Sequence, residues 1–147
     1  MKLITFILFL SLCYLGQAQD TIRTYYNTDQ TQLKTVHCVQ SQGTGKMYHG
    51  AFSVFYPNQS IKSSGNYSLG QLHGDYSEYS KSGTLILKCR YTNGILNGEH
   101  KSYYESGNIQ ERKLYINGKL QGDRKYFPDQ KDATPNKIEK YQMGSKL

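Results

Sequence analysis

Glycine, aromatic and aliphatic positions recur along the chain with a period of 24 residues. The leading glycines are Gly50, Gly74, Gly98 and Gly122. Five further columns keep the same period: Phe55, Tyr79, Tyr103 and Phe127; Ile61, Leu85 and Ile109; Tyr67, Tyr91 and Tyr115; Gly70, Gly94 and Gly118; Leu72, Leu96 and Leu120. A fixed period of about 20–50 residues is typical of repeat architectures. The chain is therefore predicted to be an array of equivalent units.

Each unit has the pattern of two short strands separated by turns. Ser82-Gly83 supplies a residue that tolerates positive φ, and Asn93-Gly94 is the pair that type I′ hairpin turns favour. Ser106-Gly107 and Asn117-Gly118 repeat these two turns in the next unit. Along the second strand, the aliphatic and tyrosine columns lie six residues apart. An even spacing predicts that both columns lie on one face of the sheet, with basic residues such as Lys88 on the other.

We therefore predict an all-β fold, an elongated single-layer antiparallel sheet of tandem 24-residue β-hairpin repeats. The predicted units are residues 50–73, 74–97 and 98–121, followed by an irregular last unit at 122–147. Residues 19–49 keep Tyr25-Tyr26 but lose the period, which indicates an N-terminal capping segment. Extra residues at 128–135 predict a lengthened turn in the last unit. Because a single hairpin is marginal in water, each unit is expected to need its neighbours.

The first 18 residues have the pattern of a signal peptide. Lys2 precedes an apolar run at residues 3–15, and Gly16 and Ala18 are the small residues that precede a cleavage site. Cleavage is predicted after Ala18, which leaves a secreted or periplasmic protein. The apolar run is shorter than the roughly 20 residues that cross a bilayer, so no membrane span is expected after cleavage. Lipid attachment at Cys13 is not expected, because Leu12 stands where a small residue is required.

Charge and cysteine content narrow the partners only partly. The formal net charge of +7 permits an acidic partner, but the basic residues are scattered singly or in pairs, and export disfavours nucleic acid.

In an exported protein, Cys38 and Cys89 could form a disulfide. Two hairpins separate them, about 15–20 Å at the ordinary spacing between strands, so two unpaired, packed cysteines are expected.

The sequence predicts neither a catalytic site nor a metal or cofactor site. No turn that presents a nucleophile is found, and the glycines follow hairpin spacing instead of a phosphate-loop pattern. His49 and His73 share one repeat column, about 10 Å apart on neighbouring hairpins, too far to share a metal ion. Asp75, Glu99 and Asp123 also share one column, and near-identical environments do not give the two different carboxyl groups that a glycosidase needs.

Aromatic and basic columns outside the predicted core are candidates for contacting a partner. These candidates are Phe52 with Tyr76, Tyr56 with Tyr104, and Lys88 with Arg112. Tyrosine gives a large contact area, and lysine or arginine complements an acidic partner. The alternative interpretation is that these side chains only shield a thin sheet from water.

The pattern Gly-x4-Tyr-Tyr-x2-Gly-x-Ile/Leu-x5-Tyr-x2-Gly-x-Leu-x-Gly resembles the MORN repeat. In particular it is similar to the bacterial MORN-variant group labelled as YwqK-type antitoxins. The resemblance covers residues 50–127 well and continues more weakly to Leu147. It implies an elongated hairpin sheet used for protein or lipid contacts, with no catalytic residues to carry over.

A signal peptide does not suit an antitoxin that acts in the cytoplasm, so an immunity-like role would concern an exported toxin. The expected function is an exported, non-enzymatic module for protein–protein interaction at the cell envelope. The alternative is electrostatic binding of anionic lipid head groups or acidic glycans.

Overall fold

The computed structural model describes residues 19–43 and 45–147, and these form one open antiparallel sheet. The predicted signal peptide, including Cys13, lies outside the described residues. The thirteen strands are β1 (Gln19–Tyr25), β2 (Leu33–Gln42), β3 (Gly45–Phe55), β4 (Ile61–Ser68), β5 (Gln71–Leu72), β6 (Gly74–Tyr79), β7 (Leu85–Thr92), β8 (Ile95–Leu96), β9 (Gly98–Tyr103), β10 (Ile109–Ile116), β11 (Lys119–Tyr126), β12 (Lys137–Gln142) and β13 (Ser145–Lys146).

The strands follow one another across the sheet in the order β1-β2-β3-β4-β6-β7-β9-β10-β11-β12-β13. The two-residue strands β5 and β8 pair with β4 and β7. No helix occurs in the described part of the chain. The predicted all-β, single-layer antiparallel fold is confirmed. The exact boundaries of the capping segment and of the units remain predictions.

Type I′ turns link the units to one another. Asn93 and Asn117 have φ of +49°, and Gly94 and Gly118 have φ of +77°, as the sequence predicts. The Gly94 N–H donates to the carbonyl oxygen of Leu72 in the preceding turn at 2.8 Å, and Gly118 repeats this contact. Each turn therefore hydrogen-bonds to the turn before it, which makes a backbone ladder along one edge of the array.

A β-bulge in the second strand of each of the three regular units overturns the prediction about the faces of the sheet. Gly74 pairs with Tyr91 and Tyr79 pairs with Leu85, although a regular register would place a different residue opposite Tyr79. Because β6 is regular, Gly74 and Tyr79 face opposite sides, and so do their partners. The even-spacing prediction is therefore wrong: the tyrosine and aliphatic columns lie on opposite faces. The bulges in β4 and β10 have the same position.

The two faces have different compositions, and we name them from the cross-strand pairs. The aromatic face carries the tyrosine column and the pairs equivalent to Tyr76 with Cys89. The ion-pair face carries the pairs equivalent to Asp75 with Arg90.

The core lies on the aromatic face of the first units. The rings of His37, Tyr48, Phe52 and Tyr67 pack with centroid separations of 4.7–6.1 Å. Such ring pairs contribute about 0.5–1.5 kcal/mol beyond the area that they bury. Gly65 lies opposite Phe52, and a Cβ there would be 2.9 Å from the Phe52 ring. Glycine is therefore required for the ring to lie against the strand.

The two cysteines of the described chain differ in state. Cys89 is a free thiol buried on the aromatic face, and burial raises its pKa to about 11. This agrees with the prediction. The prediction for Cys38 is wrong, because Cys38 is disulfide-bonded. The spacing argument concerned only a bridge between Cys38 and Cys89, and that bridge does not form.

Candidate functional site

The structure places two of the candidate aromatic residues in or beside the core. Phe52 is only 6% exposed, so the prediction that it lies outside the core is wrong. The reason is its position opposite Gly65, where it is covered by His37 and Tyr67. Tyr76 is half-buried, and its hydroxyl donates to Glu78 at 2.7 Å. These rings stabilise the sheet.

Tyr56 and Tyr104 connect neighbouring units through their hydroxyl groups. The Tyr56 hydroxyl donates to the backbone oxygen of Tyr79 at 3.0 Å, and that of Tyr104 donates to Phe127 at 2.9 Å. Tyr26 makes the equivalent bond to Phe55 at 2.8 Å, which extends the pattern into the predicted capping segment. These tyrosines therefore stabilise the contact between neighbouring units. This agrees with the alternative interpretation that they serve the sheet itself, although they do so by hydrogen bonding.

Lys88 and Arg112 lie exposed on the ion-pair face, where each contacts the acidic column. Lys88 Nζ is 3.7 Å from Asp75, and Arg112 Nε is 2.5 Å from Glu99. The acidic column is fully paired: Asp75 also contacts Arg90, Glu99 contacts Lys101, and Asp123 contacts Lys125. A hydrogen bond from Lys101 lowers the pKa of Glu99, and Arg112 adds to this effect.

Exposed aliphatic side chains lie among these ion pairs. Cross-strand pairing places four of them on the ion-pair face: Ile95, Leu114, Ile116 and Ile138, each between 42% and 51% exposed. An open depression here is lined by Leu114 together with Glu99, Arg112, Asp123 and Lys125. We call the four aliphatic residues and the ion pairs Glu99–Arg112 and Asp123–Lys125 the mixed patch.

Leu114 and Ile116 were missed by the sequence reasoning, although the repeat contains a signal for them. In the other regular units, the column of Leu114 holds Asn66 and Arg90. The column of Ile116 holds Ser68 and Thr92. An aliphatic residue in an otherwise polar column indicates a change specific to one unit.

The aromatic face becomes charged in the last two units. Glu111 is buried, with Lys113 Nζ at 2.8 Å and Arg124 Nε at 2.5 Å. Burial opposes ionisation of Glu111, but the hydrogen bonds from Lys113 and Arg124 outweigh it, so the pKa is lowered. Arg124 also lies over the Tyr126 ring at 5.0 Å. The buried carboxylate is therefore fully paired, and the network keeps one excess positive charge.

A second carboxylate on the aromatic face is bound still more completely. Glu139 accepts hydrogen bonds from Lys146 at 2.9 Å, from Tyr126 at 3.1 Å and from Tyr141 at 3.2 Å. Lys137 lies 3.0 Å away. The contacts with Lys146 and then Lys137 lower the pKa of Glu139 to about 2.

His49 and His73 support turns. The Leu69 N–H donates to His49 Nδ1 at 3.4 Å, and His73 Nδ1 is 3.2 Å from Asn93 Oδ1. Gln121 fills the same column and accepts from the Met143 N–H at 2.9 Å. Over residues 19–43 and 45–147, no group of three or more His, Cys, Asp or Glu side chains is placed to hold a metal ion. No helix in this described part is long and apolar enough to cross a membrane.

An open sheet of equivalent hairpins, with paired charges and exposed aliphatic residues on one face, defines the class of β-hairpin repeat scaffolds. Residues 72–93 and 96–117 match the MORN repeat variant family, and the two matches start 24 residues apart. These two segments are therefore MORN-variant repeats. Repeats of this family generally form non-enzymatic modules that bind proteins or membranes. No curated protein and no solved structure shows a significant match to the chain.

Proposed function

We propose that the chain is an exported, non-enzymatic MORN-repeat module that binds a protein partner at the cell envelope. The mixed patch is the observation that carries this proposal. An immunity-like role toward an exported toxin is the form of this function that the resemblance to antitoxin-labelled proteins favours.

The chemistry of the mixed patch suits a protein partner. Protein interfaces combine apolar contacts with a polar rim, and arginine is enriched in them. Leu114 and Ile116 supply exposed apolar area at the C-terminal end of strand β10, where no neighbouring strand of the described chain covers that face. Arg112 is held by Glu99, so its guanidinium is oriented before any partner arrives.

A basic excess on the same face favours the alternative partner, anionic lipid head groups or acidic glycans. Cross-strand pairing places seven basic residues on the ion-pair face of the last three units against three acidic ones. The basic residues are Lys88, Arg90, Lys101, Arg112, Lys119, Lys125 and Lys140, and the acidic residues are Asp75, Glu99 and Asp123. Binding through unneutralised charge would be lost at high ionic strength, because salt screens exposed charges.

The test is capture from the envelope fraction of the source cell on immobilised protein, eluted with rising salt and then with detergent. We expect one protein to stay bound through high salt, and Leu114→Asp to abolish its capture. Leu69→Asn is the matched control, since it also removes an exposed leucine but lies in a turn tip outside the mixed patch. Recovery of lipid or polyanion at low salt alone, or equal capture by both variants, would refute the protein-binding proposal.

Export has a separate test. We expect the protein expressed with its native N-terminal segment to accumulate outside the cytoplasm with Gln19 as its first residue, as shown by fractionation and intact mass. An unprocessed chain in the cytoplasm would contradict the export part of the proposal.

A further inference from the structure

Within residues 19–43 and 45–147, the outer strands of the first and last hairpins have edge positions that pair with no strand, and the two edges are complementary. At each internal junction, two residues after the bulge of a second strand pair with two residues of the next first strand. Leu87 and Lys88 pair with Ser102 and Lys101, and β4 pairs with β6 at the equivalent positions. The same two positions pair at every internal junction, and β2–β3 and β10–β11 add further pairs.

β12, the second strand of the last hairpin, lacks this partner in the described chain. Lys137 and Ile138 are the equivalents of Leu87 and Lys88, because they pair inward with Tyr126 and Lys125 in the same register. Within residues 19–43 and 45–147, no strand pairs with Lys137 and Ile138 on their outer side. A strand edge of this kind leaves backbone N–H and C=O groups available for pairing with another chain.

In the described part of the chain, the first strand, β1, lacks the opposite partner. Thr24 and Arg23 pair on their inner side with Thr35 and Val36 of β2. They are the equivalents of Glu78 and Ser77 in β6, which pair with Leu87 and Lys88 in the same register. In an internal first strand, the outer side of these two positions is covered by the preceding second strand, as β4 covers β6. No strand of the described chain covers the outer side of β1. At an internal junction, the outer side of a second strand such as β12 pairs with the outer side of a first strand such as β1. The uncovered edges of β1 and β12 are therefore complementary.

We propose that two copies of this chain join head to tail, with β1 of one copy pairing with β12 of the next and continuing the sheet. The internal register places Thr24 opposite Lys137 and Arg23 opposite Ile138. No like charges oppose each other, and the methylene groups of Arg23 can cover the exposed Ile138. This proposal is independent of the protein-binding function, since it uses the ends of the sheet and leaves most of the mixed patch uncovered.

The geometry sets the form of the association. A head-to-tail contact is heterologous, so it does not close as a dimer and adds further copies in a line. Because the chain has a formal net charge of +7, copies repel one another at low salt. The association is therefore stronger at physiological ionic strength than at low ionic strength.

Cysteine pairing between differently tagged copies tests the register. Arg23→Cys in one chain and Ile138→Cys in another would be directly opposite, at a Cα separation of about 4.5–5.5 Å, which a disulfide can bridge. We expect severalfold more of the mixed dimer than of either homodimer under mild oxidation, and more at physiological than at low ionic strength. The unsubstituted protein gives the background, which is low because Cys38 and Cys89 are each only 3% exposed.

Arg23→Cys mixed with Ile116→Cys is the matched control. Ile116 is similarly exposed on the same face but lies in the internal strand β10. Equal yields from the two mixtures, or an excess of the Arg23→Cys homodimer, would overturn the proposal. Sedimentation velocity of the unsubstituted protein gives an independent measurement: a sedimentation coefficient that rises with concentration is expected, and a monomer at every concentration contradicts it.

Discussion

Replacing Glu111 by Gln should destabilise the protein strongly, because Glu111 is a buried acid between two basic residues. Its side chain is 11% exposed, and it contacts Lys113, which is 13% exposed, and Arg124, which is 31% exposed. Removing one partner of a buried ion pair costs about 3–5 kcal/mol. Glutamine still accepts one hydrogen bond, and Arg124 can turn toward water over the Tyr126 ring. We therefore expect a loss of about 2–3 kcal/mol in the free energy of unfolding.

Glu99→Gln is the matched control for this substitution. Glu99 also contacts two basic residues, Lys101 and Arg112, but it lies on the ion-pair face with 41% of its side chain exposed. Exposed ion pairs contribute about 0–1 kcal/mol. The two substitutions are chemically identical, so the difference between them isolates burial.

Urea unfolding measures both variants. The chain has 14 tyrosines and no tryptophan, so tyrosine fluorescence and circular dichroism report the transition. With a urea dependence of about 1–3 kcal/mol per molar, the Glu111→Gln midpoint should fall by roughly 1–2 M, and the Glu99→Gln midpoint by less than about 0.5 M. Equal midpoints for the two variants would refute the argument that burial of this carboxylate decides the outcome.

Other predictions follow from single contacts. Leu69 adopts φ of +49° in a turn where two other units have Asn, so Leu69→Asn should raise the free energy of unfolding by about 0.5–1 kcal/mol, and an unchanged urea midpoint would contradict this. Tyr104→Phe should lower it by about 1 kcal/mol, since the Phe127 carbonyl loses its donor; no loss would show that the bond is not stabilising. The Cys89 thiol, with its pKa raised to about 11, should resist alkylation at pH 8 until urea unfolds the sheet, whereas rapid native labelling would place it at the surface. The pKa of Glu139 is lowered to about 2 in the folded state, so its contribution to the free energy of unfolding is fully present above the ordinary carboxyl pKa and is lost as the pH falls toward 2. Glu139→Gln should therefore reduce stability at neutral pH and not near pH 2, and an acid-unfolding curve that matches that of the unsubstituted protein would be evidence against this.

The repeat architecture was predictable because turns and strands leave local marks. Asn93-Gly94 specifies a type I′ turn through the φ preferences of its two residues, and the structure has that turn. The bulge at Ile86 leaves no such mark. It adds one residue in each of the three regular units, so the 24-residue period is unchanged, and only the pairing of Tyr79 with Leu85 reveals that the faces alternate differently.

Part of the candidate site could not be predicted, because aromatic side chains serve both packing and recognition. Phe52 and Tyr104 have the residue types of an interface, but Gly65 gives Phe52 room to lie in the core, and the Phe127 carbonyl accepts from Tyr104. Both contacts join residues distant in sequence. The positions of Lys88 and Arg112 were predictable as exposed, yet their pairing with Asp75 and Glu99 depends on the register of the strands.

Repetition itself distinguishes the positions that maintain the fold from those free to specialise. A group that holds one unit to the next recurs with the period, as the turn glycines Gly94 and Gly118 do, because these junctions have the same geometry. A side chain that differs from its column is not needed by that geometry. Leu114 stands in a polar column and is exposed, so removing it should cost the fold little and the interface much. If the mixed patch binds the partner, affinity and stability are therefore separable by substitution, with Leu114 changing the first and Tyr104 the second.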